Sequence, residues 1–179
     1  PDPEVLVSGD WDEVRTVVDV GGGTGALLAA ILQEHPHLHG ILVDFPRTVA
    51  NAKETFEEAG VADRVTASGQ SFFDPLPEGA DLYLLNRVLH DWSDAEALAL
   101  LRNCASAVSP TGRVVVVGSV SPEPTAGGLS PDTVLVGGKN RGLAEFTELA
   151  RLAGLTVTAT CFQPTGRFIV ECRKATEHS

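Results

Sequence analysis

Two kinds of apolar segment alternate along the chain. Short runs rich in Val, Ile and Leu are typical of buried strands, whereas longer segments repeat their apolar positions with the period of a helix. Strands are predicted at residues 16–20, 41–43, 65–67, 82–85 and 113–117. Helices are predicted at residues 26–33, 46–59, 94–108 and 143–153. This alternation is typical of an α/β fold with a mostly parallel sheet, and we expect five strand–helix units.

The ends of several elements carry their own signals. Gly60 is a typical residue to end the second helix. Ser93, followed three residues later by Glu96, forms a capping box that predicts a helix start at residue 94. The last two apolar runs, 155–162 and 167–172, flank a turn that contains Pro and Gly. We therefore expect an open sheet that ends in an antiparallel hairpin.

Composition and charge exclude several classes of protein. Hydrophobic residues make up 43% and charged residues 21% of the 179 positions, which is a globular balance. No apolar run approaches the ~20 residues of a membrane span, so we expect no membrane partner. The chain has 24 acidic against 13 basic residues and a formal net charge of −11. This charge argues against a nucleic-acid partner and suits a cationic ligand better.

Cysteine and histidine patterns give no metal or disulfide signature. The three cysteines are odd in number and lack CxxC spacing, and no signal peptide is visible. We therefore expect a reducing, cytoplasmic location. His35, His37 and His39 alternate along the chain, as metal ligands on a strand would, but Pro36 separates the first two and no Cys lies nearby. A solvated loop is the favoured interpretation, and no metal site is predicted.

A glycine-rich loop is the first candidate for ligand binding. Gly21, Gly23 and Gly25 follow a predicted strand and open a helix, where the backbone can approach a ligand closely. Asp44 ends the next strand, which places its carboxylate beside the loop, within reach of both hydroxyls of a ribose. A nucleoside-bearing ligand is therefore predicted. Since Ala26 completes a G-x-G-x-x-A pattern, a nicotinamide cofactor also remains open.

Further candidates follow the third and fourth strands. Gln70 and Ser71 can bond the edge of an adenine, and Phe72 lies next to them. Asn86 and His90 stand at the carboxyl end of the fourth strand, and ligands bind at this end of the strands in open α/β sheets. We expect His90 to share a crevice with the glycine loop and Asp44.

Five segments of the chain together form a recognisable pattern. They are DVGGGTG (19–25), VDFP (43–46), SFFDPLP (71–77), NRVLHDWSD (86–94) and GGKNRGLAEF (137–146). In this order they resemble the S-adenosylmethionine-dependent O-methyltransferases, most of all the plant caffeic-acid type and its bacterial relatives that tailor natural products. The resemblance covers nearly the whole chain, and HDW at 90–92 is its most specific part.

The resemblance implies a class I methyltransferase (Rossmann-like) fold and a set of roles. S-adenosyl-L-methionine would be the cofactor and S-adenosyl-L-homocysteine the product, with a hydroxyl of a small, aromatic natural product as acceptor. His90 would be the general base, and a neutral imidazole can take a phenolic proton near pH 7. The cofactor site would comprise Gly21, Gly23, Gly25, Asp44, Gln70, Ser71, Phe72 and Asn86.

The chain departs from the family pattern at positions around the proposed base. Gly118 and Asn140 stand where the family often has acids that flank the base. A neutral Gln70 or Ser71 replaces the family's adenine-binding Asp. The connection from Gly118 to Gly137 is also shorter than is usual in the family.

The resemblance also predicts domain organisation and leaves alternatives open. Residues 1–15 would form a junction to an N-terminal dimerisation domain, 16–174 the catalytic domain and 175–179 a tail. With that further domain present, we expect a homodimer. The alternatives are an enzyme that binds the same cofactor but hydroxylates or decarboxylates, a non-catalytic cofactor-binding domain, and a nicotinamide-dependent dehydrogenase.

Overall fold

A seven-stranded sheet with helices on both faces forms the protein. The computed structural model describes residues 11–122, 141–163 and 166–175. The strands in these ranges are β1 (Thr16–Val20), β2 (His39–Asp44), β3 (Val65–Gly69), β4 (Leu82–Asn86), β5 (Arg113–Val117), β6 (Val120–Ser121), β7 (Arg141–Gly142), β8 (Leu155–Phe162) and β9 (Phe168–Lys174). The helices are α1 (Ala26–Glu34), α2 (Pro46–Ala59), α3 (Asp94–Ala107) and α4 (Leu143–Leu152), with short 3₁₀ turns at Trp11–Glu13, Ala62–Arg64 and Leu89–Asp91.

The strand order confirms the predicted mostly parallel sheet with a terminal hairpin. The order is β3-β2-β1-β4-β5-β9-β8, in which β1 to β5 are mutually parallel. β9 lies antiparallel between β5 and β8, so the hairpin closes one edge of the sheet. The order reverses beside β1, where β2 lies on one side and β4 on the other, and open α/β sheets bind ligands at such a reversal.

Two apolar clusters, one on each face, hold the layers together. One cluster joins the sheet to α3 and α4, and the other joins it to α1 and α2. All five residues of β5 are buried, which explains its uninterrupted RVVVV run. The apolar signal of β3 is weak because β3 lies at the edge of the sheet and has no buried residue.

The predicted helix signals are confirmed in detail. Ser93 Oγ accepts from Glu96 N at 3.3 Å and Glu96 Oε1 accepts from Ser93 N at 3.4 Å, so the capping box begins α3 as expected. Gly60 ends α2 with φ of 74°, a left-handed conformation that favours glycine.

One expectation about the connections was wrong. Residues 70–81 join β3 to β4 without a helix, so this strand is not followed by the helix that five strand–helix units require. Pro75 and Pro77 explain the difference, because proline lacks the backbone N–H that a helix needs.

Candidate active site

The glycine loop after β1 has the conformation that its composition predicts. Gly21, Gly23 and Gly25 have φ values of 75°, 61° and 82°, which strain any other residue. Gly21 N donates to Val43 O at 2.7 Å, which ties the loop to β2. Apart from its two chain neighbours, no described residue has an atom within 4 Å of the position that a Cβ on Gly23 would take. The backbone at Gly23 therefore lies open to a ligand.

Asp44 lies beside this loop, where the sequence places it. Its side chain is nearly buried, and Oδ2 accepts from Gly23 N at 2.9 Å. Oδ1 accepts from Phe45 N at 2.7 Å. Each carboxylate oxygen keeps a further lone pair, so Asp44 can hold the loop and still accept from the hydroxyls of a ribose.

Asp19 adds a second carboxylate that sequence reasoning did not assign to the site. It belongs to β1, is 1% exposed, and neither carboxylate oxygen has a hydrogen-bond partner among the described residues. Burial, and secondarily the charge of Asp44, raises the pKa of the Asp19 carboxyl to about 7. An orphaned buried carboxylate next to a ligand-binding loop is a group that a ligand ammonium would satisfy.

The segment after β3 uses its polar groups to shape its own loop. Gln70 Oε1 accepts from Ser68 Oγ at 2.6 Å, and Gln70 Nε2 donates to Pro75 O at 3.0 Å. Ser71 Oγ accepts from Phe73 N at 3.1 Å. Both predicted adenine contacts therefore hold residues 70–75 in place, which leaves their role toward a ligand a prediction.

Phe72 is buried and packs against the glycine loop at Gly21. It is 6% exposed, and a Cβ on Gly21 would lie 3.3 Å from a Phe72 ring atom. The Phe72 ring lies 5.0 Å from that of Phe45 and 6.3 Å from that of Trp92, measured between centroids. Phe45 is 46% exposed and was missed by sequence reasoning. Its position directly after the strand-ending acid could have indicated it.

Asn86 ends β4 with an unsatisfied polar atom. Its Oδ1 is buried and has no hydrogen-bond partner among the described residues. Buried polar atoms are normally paired, so Asn86 and Asp19 are two places where a polar ligand would remove an energetic cost. These orphaned atoms and the open backbone at Gly23 fit a ligand that carries a ribose and an amino acid moiety.

His90 lies in the short turn that follows β4, and its side chain is 30% exposed. Nδ1 lies 3.0 Å from Ser119 Oγ, and Nε2 lies 3.5 Å from Asp91 Oδ1. Ser119 follows β5 and is buried. With the proton on Nδ1 donated to Ser119 Oγ, Nε2 is free to accept a proton from a substrate.

Ser119 therefore lies beside the proposed base, one residue after the position where the resemblance places an acid. Ser119 was not identified from the sequence, because the resemblance points to position 118, where Gly118 has no carboxylate. Asn140, the second such position, lies outside the described residues. Asp91 is the carboxylate close to His90, but its side chain is 69% exposed, so solvent weakens their attraction.

Arg141, which sequence reasoning also missed, anchors the turn at Leu89–Asp91 that carries His90, here called the His90 turn. Its buried guanidinium donates to Leu89 O at 3.1 Å and to Trp92 O at 2.9 Å, the carbonyls on either side of the turn. The same group bonds Asp94 Oδ1 at 3.0 Å through Nε. Arg141 N also donates to Ser119 O at 3.2 Å. One residue therefore positions both His90 and its serine partner.

The three alternating histidines make separate contacts. His35 stacks on Trp11 with centroids 4.7 Å apart, and His37 Nε2 lies 2.9 Å from Trp11 O. His39 Nε2 lies 3.0 Å from Thr66 Oγ1. Within the described part of the chain, no group of three or more His, Cys, Asp and Glu side chains is arranged to hold a metal ion.

The strand ends therefore present two functional groups of different chemistry. The Gly21–Gly25 loop and the carboxylates of Asp19 and Asp44 can bind a polar, positively charged ligand. His90, held by Ser119, can move a proton. No helix in the described ranges is long and apolar enough to cross a membrane.

Comparison with known proteins gives consistent matches. A family model described as an O-methyltransferase domain matches residues 3–156. The 2,7-dihydroxy-5-methyl-1-naphthoate 7-O-methyltransferase of Streptomyces carzinostaticus is 45% identical over 84% of this chain and 46% of its own length. Aclacinomycin 10-hydroxylase RdmB of Streptomyces purpurascens is 42% identical over 84% of this chain and 42% of its own length.

A solved structure gives the same fold with ligands bound. The O-methyltransferase NcsB1 from neocarzinostatin biosynthesis, in complex with S-adenosylmethionine and 2-hydroxy-5-methyl naphthoic acid, is 41% identical. The similarity has a TM-score of 0.83 and covers 93% of this chain and 50% of that one. The chain thus spans about half the length of the relatives that it matches.

Proposed function

Because the chain belongs to the O-methyltransferase domain family, we propose that it transfers a methyl group from S-adenosylmethionine to a hydroxyl of a small aromatic natural product. The main observation behind this proposal is that two groups of different chemistry lie at the carboxyl ends of the parallel strands. Asp44 bonds the glycine loop after β1, and His90 bonds Ser119 after β5. A candidate nucleoside-binding group and a candidate base therefore lie at the same edge of one sheet.

The proposed position of the cofactor rests on the buried side-chain oxygens of Asp19 and Asn86, which have no hydrogen-bond partner among the described residues. S-adenosylmethionine supplies an activated sulfonium methyl when bound. Gly21, Gly23 and Gly25 would line its amino acid moiety, with Asp19 as the partner of the ammonium. Asp44 would accept from the ribose hydroxyls. The remaining proposed cofactor contacts are Gln70, Ser71, Phe72 and Asn86.

His90 would act on the acceptor rather than on the cofactor. A phenol becomes a good nucleophile when its proton leaves, and Nε2 of His90 can take that proton. Ser119 Oγ would accept the Nδ1 proton of His90, which leaves Nε2 unprotonated. Arg141 holds the turn that carries His90. The protein's further contribution is alignment of the acceptor oxygen with the methyl group.

The proposal extends to the whole protein. Residues 16–174 would be the catalytic domain, 1–15 a junction to an N-terminal dimerisation domain and 175–179 a tail. The full protein would be a homodimer that acts in the cytoplasm on a small-molecule acceptor. Hydroxylated naphthoates are a reasonable first acceptor class, because relatives at 45% and 37% identity are named for them.

Hydroxylation is the second candidate, because a relative at 42% identity is named a hydroxylase. The methyltransferase proposal is favoured since other relatives, acting on mitomycin and phenazine compounds, are named O-methyltransferases. The two reactions differ in the fate of the labile methyl group of S-adenosylmethionine. Methyl transfer places this group on the product, whereas hydroxylation does not.

The test is transfer of radiolabelled methyl from S-adenosylmethionine to a panel of hydroxylated naphthalenes and naphthoates. We expect labelled product, and we expect His90→Ala to lower kcat by about 10²-fold or more with S-adenosylhomocysteine affinity unchanged. His39→Ala is the matched control, because His39 begins β2 and so lies at the opposite end of that strand from Asp44. Retained cofactor binding without labelled product would favour hydroxylation or a non-catalytic domain, and full activity in His90→Ala would remove His90 as the base.

A further inference from the structure

The two carboxylates at the glycine loop have different surroundings. Asp44 accepts from the backbone N–H groups of Gly23 and Phe45, at 2.9 and 2.7 Å. Asp19 also lies against the loop, since a Cβ on Gly22 would be 2.5 Å from Asp19 Oδ2. However, Asp19 is 1% exposed, and neither of its oxygens has a hydrogen-bond partner among the described residues. One loop therefore contacts a carboxylate that N–H groups stabilise and a second carboxylate that no described group stabilises.

The strands beside Asp19 surround it with apolar side chains. β1 pairs Asp19 with Leu42 of β2 and with Leu84 of β4, and both leucines belong to the apolar cluster that joins the sheet to α1 and α2. An ionised carboxylate is costly in such surroundings unless a cation or a hydrogen-bond donor meets it. Burial, and to a smaller extent the charge of Asp44, raises the pKa of the Asp19 carboxyl to about 7.

Within the described ranges, the elements packed around β1 bring no cation to Asp19. Apart from Asp44, their titratable side chains are Glu34 on α1, Arg47, Lys53, Glu54, Glu57 and Glu58 on α2, His39 on β2, Tyr83 on β4, and His90 and Asp91 in the His90 turn. All of these except Tyr83 and His90 are exposed to solvent. The Tyr83 hydroxyl donates to a backbone carbonyl, and His90 bonds Ser119. Asp44 is therefore the charged group that acts on Asp19, and its charge favours the protonated form.

A cation held at the glycine loop would reverse this preference. The proposed cofactor carries an ammonium and a sulfonium, and either charge attracts the ionised form of Asp19 more strongly in a site with little water than in bulk solvent. A ligand that binds one protonation state more tightly shifts the protein toward that state. The O–H bond of the Asp19 carboxyl then breaks, and the proton passes to the solvent.

We propose that binding of S-adenosylmethionine releases one proton from Asp19, so that affinity for the cofactor rises as the pH rises through neutrality. This inference rests on the proposed function and adds a form of regulation to the same site. Below neutral pH, the cofactor must displace the proton before the loop and the carboxylate can hold its charge. Asp44 needs no such step, because two N–H groups already stabilise its ionised form.

The size of the effect follows from the pKa of Asp19 in the free protein, which is about 7. If Asp19 is ionised in the complex, affinity should fall about tenfold between pH 8 and pH 6. Over the same interval, the number of protons released per bound ligand should rise from about 0.1 to about 0.9.

The test is calorimetric titration of the 179-residue chain with S-adenosylhomocysteine, which keeps the ammonium of the cofactor. Titrations at pH 6, 7 and 8 are each run in two buffers of different ionisation enthalpy, because the difference in heat between the buffers counts the protons released. We expect the wild type to release protons and to lose affinity at pH 6 as stated. Asp19→Asn removes the titrating group, so this variant should release no proton and bind equally well at pH 6 and pH 8.

Two controls identify the source of the proton. Asp63→Asn removes an exposed acid, and His90→Ala removes an imidazole that can also titrate near neutral pH. Both variants should release as many protons as the wild type.

The outcomes separate this inference from the proposed function. Binding of S-adenosylhomocysteine by the wild type at pH 6 without proton release would overturn the inference and leave the proposed function standing. Proton release by Asp19→Asn equal to that of the wild type would do the same. Absence of S-adenosylhomocysteine binding at pH 8 would instead overturn the proposed function on which the inference rests.

Discussion

Burial changes the acid–base behaviour of Asp19, because it raises the pKa of this carboxyl. Its carboxylate is enclosed below the glycine loop without a partner, and its neighbour Asp44 is also acidic. The two carboxylates therefore differ in kind. Asp44 is stabilised by two backbone N–H groups, whereas Asp19 is stabilised only when it carries a proton or meets a cation.

The titration of Asp19 predicts a pH dependence of stability. Its pKa rises from 3.8 to about 7 on folding, so the folded state holds the proton more tightly than the unfolded chain. The stability that the protonated form contributes is full below about pH 4 and is lost as the pH rises to about 7. Asp19→Asn should abolish a loss of roughly 4 kcal/mol over this interval. Urea denaturation of both proteins at pH 4, 5.5, 7 and 8 measures it.

The exposed acid Asp63 provides the control for this comparison. Asp63→Asn should leave the pH dependence of the wild type unchanged. Parallel curves for the wild type and Asp19→Asn would show that the buried carboxylate does not titrate in this range.

The contact between Ser119 and His90 predicts that replacing Ser119 alters the proposed base. Without the Ser119 hydroxyl, Nδ1 of His90 loses its partner at 3.0 Å, so the balance between the two His90 tautomers should change. Ser119→Ala should lower kcat for methyl transfer roughly tenfold, as expected for one lost hydrogen bond. Nitrogen NMR of the His90 ring should show a shift in tautomer populations. Ser106→Ala, on the exposed side of α3, should change neither, and an unaltered His90 spectrum in Ser119→Ala would contradict the assignment.

At the scale of elements, short β7 links the base to its partner. Arg141 in β7 bonds carbonyls on both sides of the His90 turn, and its backbone bonds Ser119. A planar guanidinium can reach several acceptors at once, whereas an ammonium is a single point donor. Arg141 therefore holds α3 and the His90 turn through its side chain and Ser119 through its backbone.

Arg141→Lys should weaken this arrangement while keeping the charge. We expect the free energy of unfolding to fall by about 2–4 kcal/mol, since buried acceptors lose their donor. The kcat for methyl transfer should fall while the KM for S-adenosylmethionine changes little. Arg151→Lys is the matched control, because Arg151 and Glu148 form an exposed pair on α4. Equal stability of the two variants would show that Arg141 does not support the turn.

The elements also show what the sequence can and cannot predict. The Ser93–Glu96 capping box and the RVVVV run of β5 are local patterns, and both predicted their elements correctly. The β3–β4 connection was assigned to a strand–helix unit from the overall alternation alone, although Pro75 and Pro77 argue against a helix there. Ser119 and Arg141 could not be found by local pattern, because their contacts with the His90 turn join residues 29 and about 50 positions apart.

For the whole molecule, distribution of charge matters more than net charge. A formal charge of −11 agrees with acidic groups around a cationic cofactor. Two of the acids, Asp19 and Asp44, lie at the glycine loop.

The central claim is that Asp44 and the glycine loop bind the nucleoside of S-adenosylmethionine, and calorimetric titration with S-adenosylhomocysteine tests it most directly. We predict binding by the wild type, a loss of about 30-fold or more in Asp44→Ala, wild-type affinity in Asp63→Ala, and no heat with NAD⁺. Absence of S-adenosylhomocysteine binding, or equal affinity in a folded Asp44→Ala variant, would contradict the account.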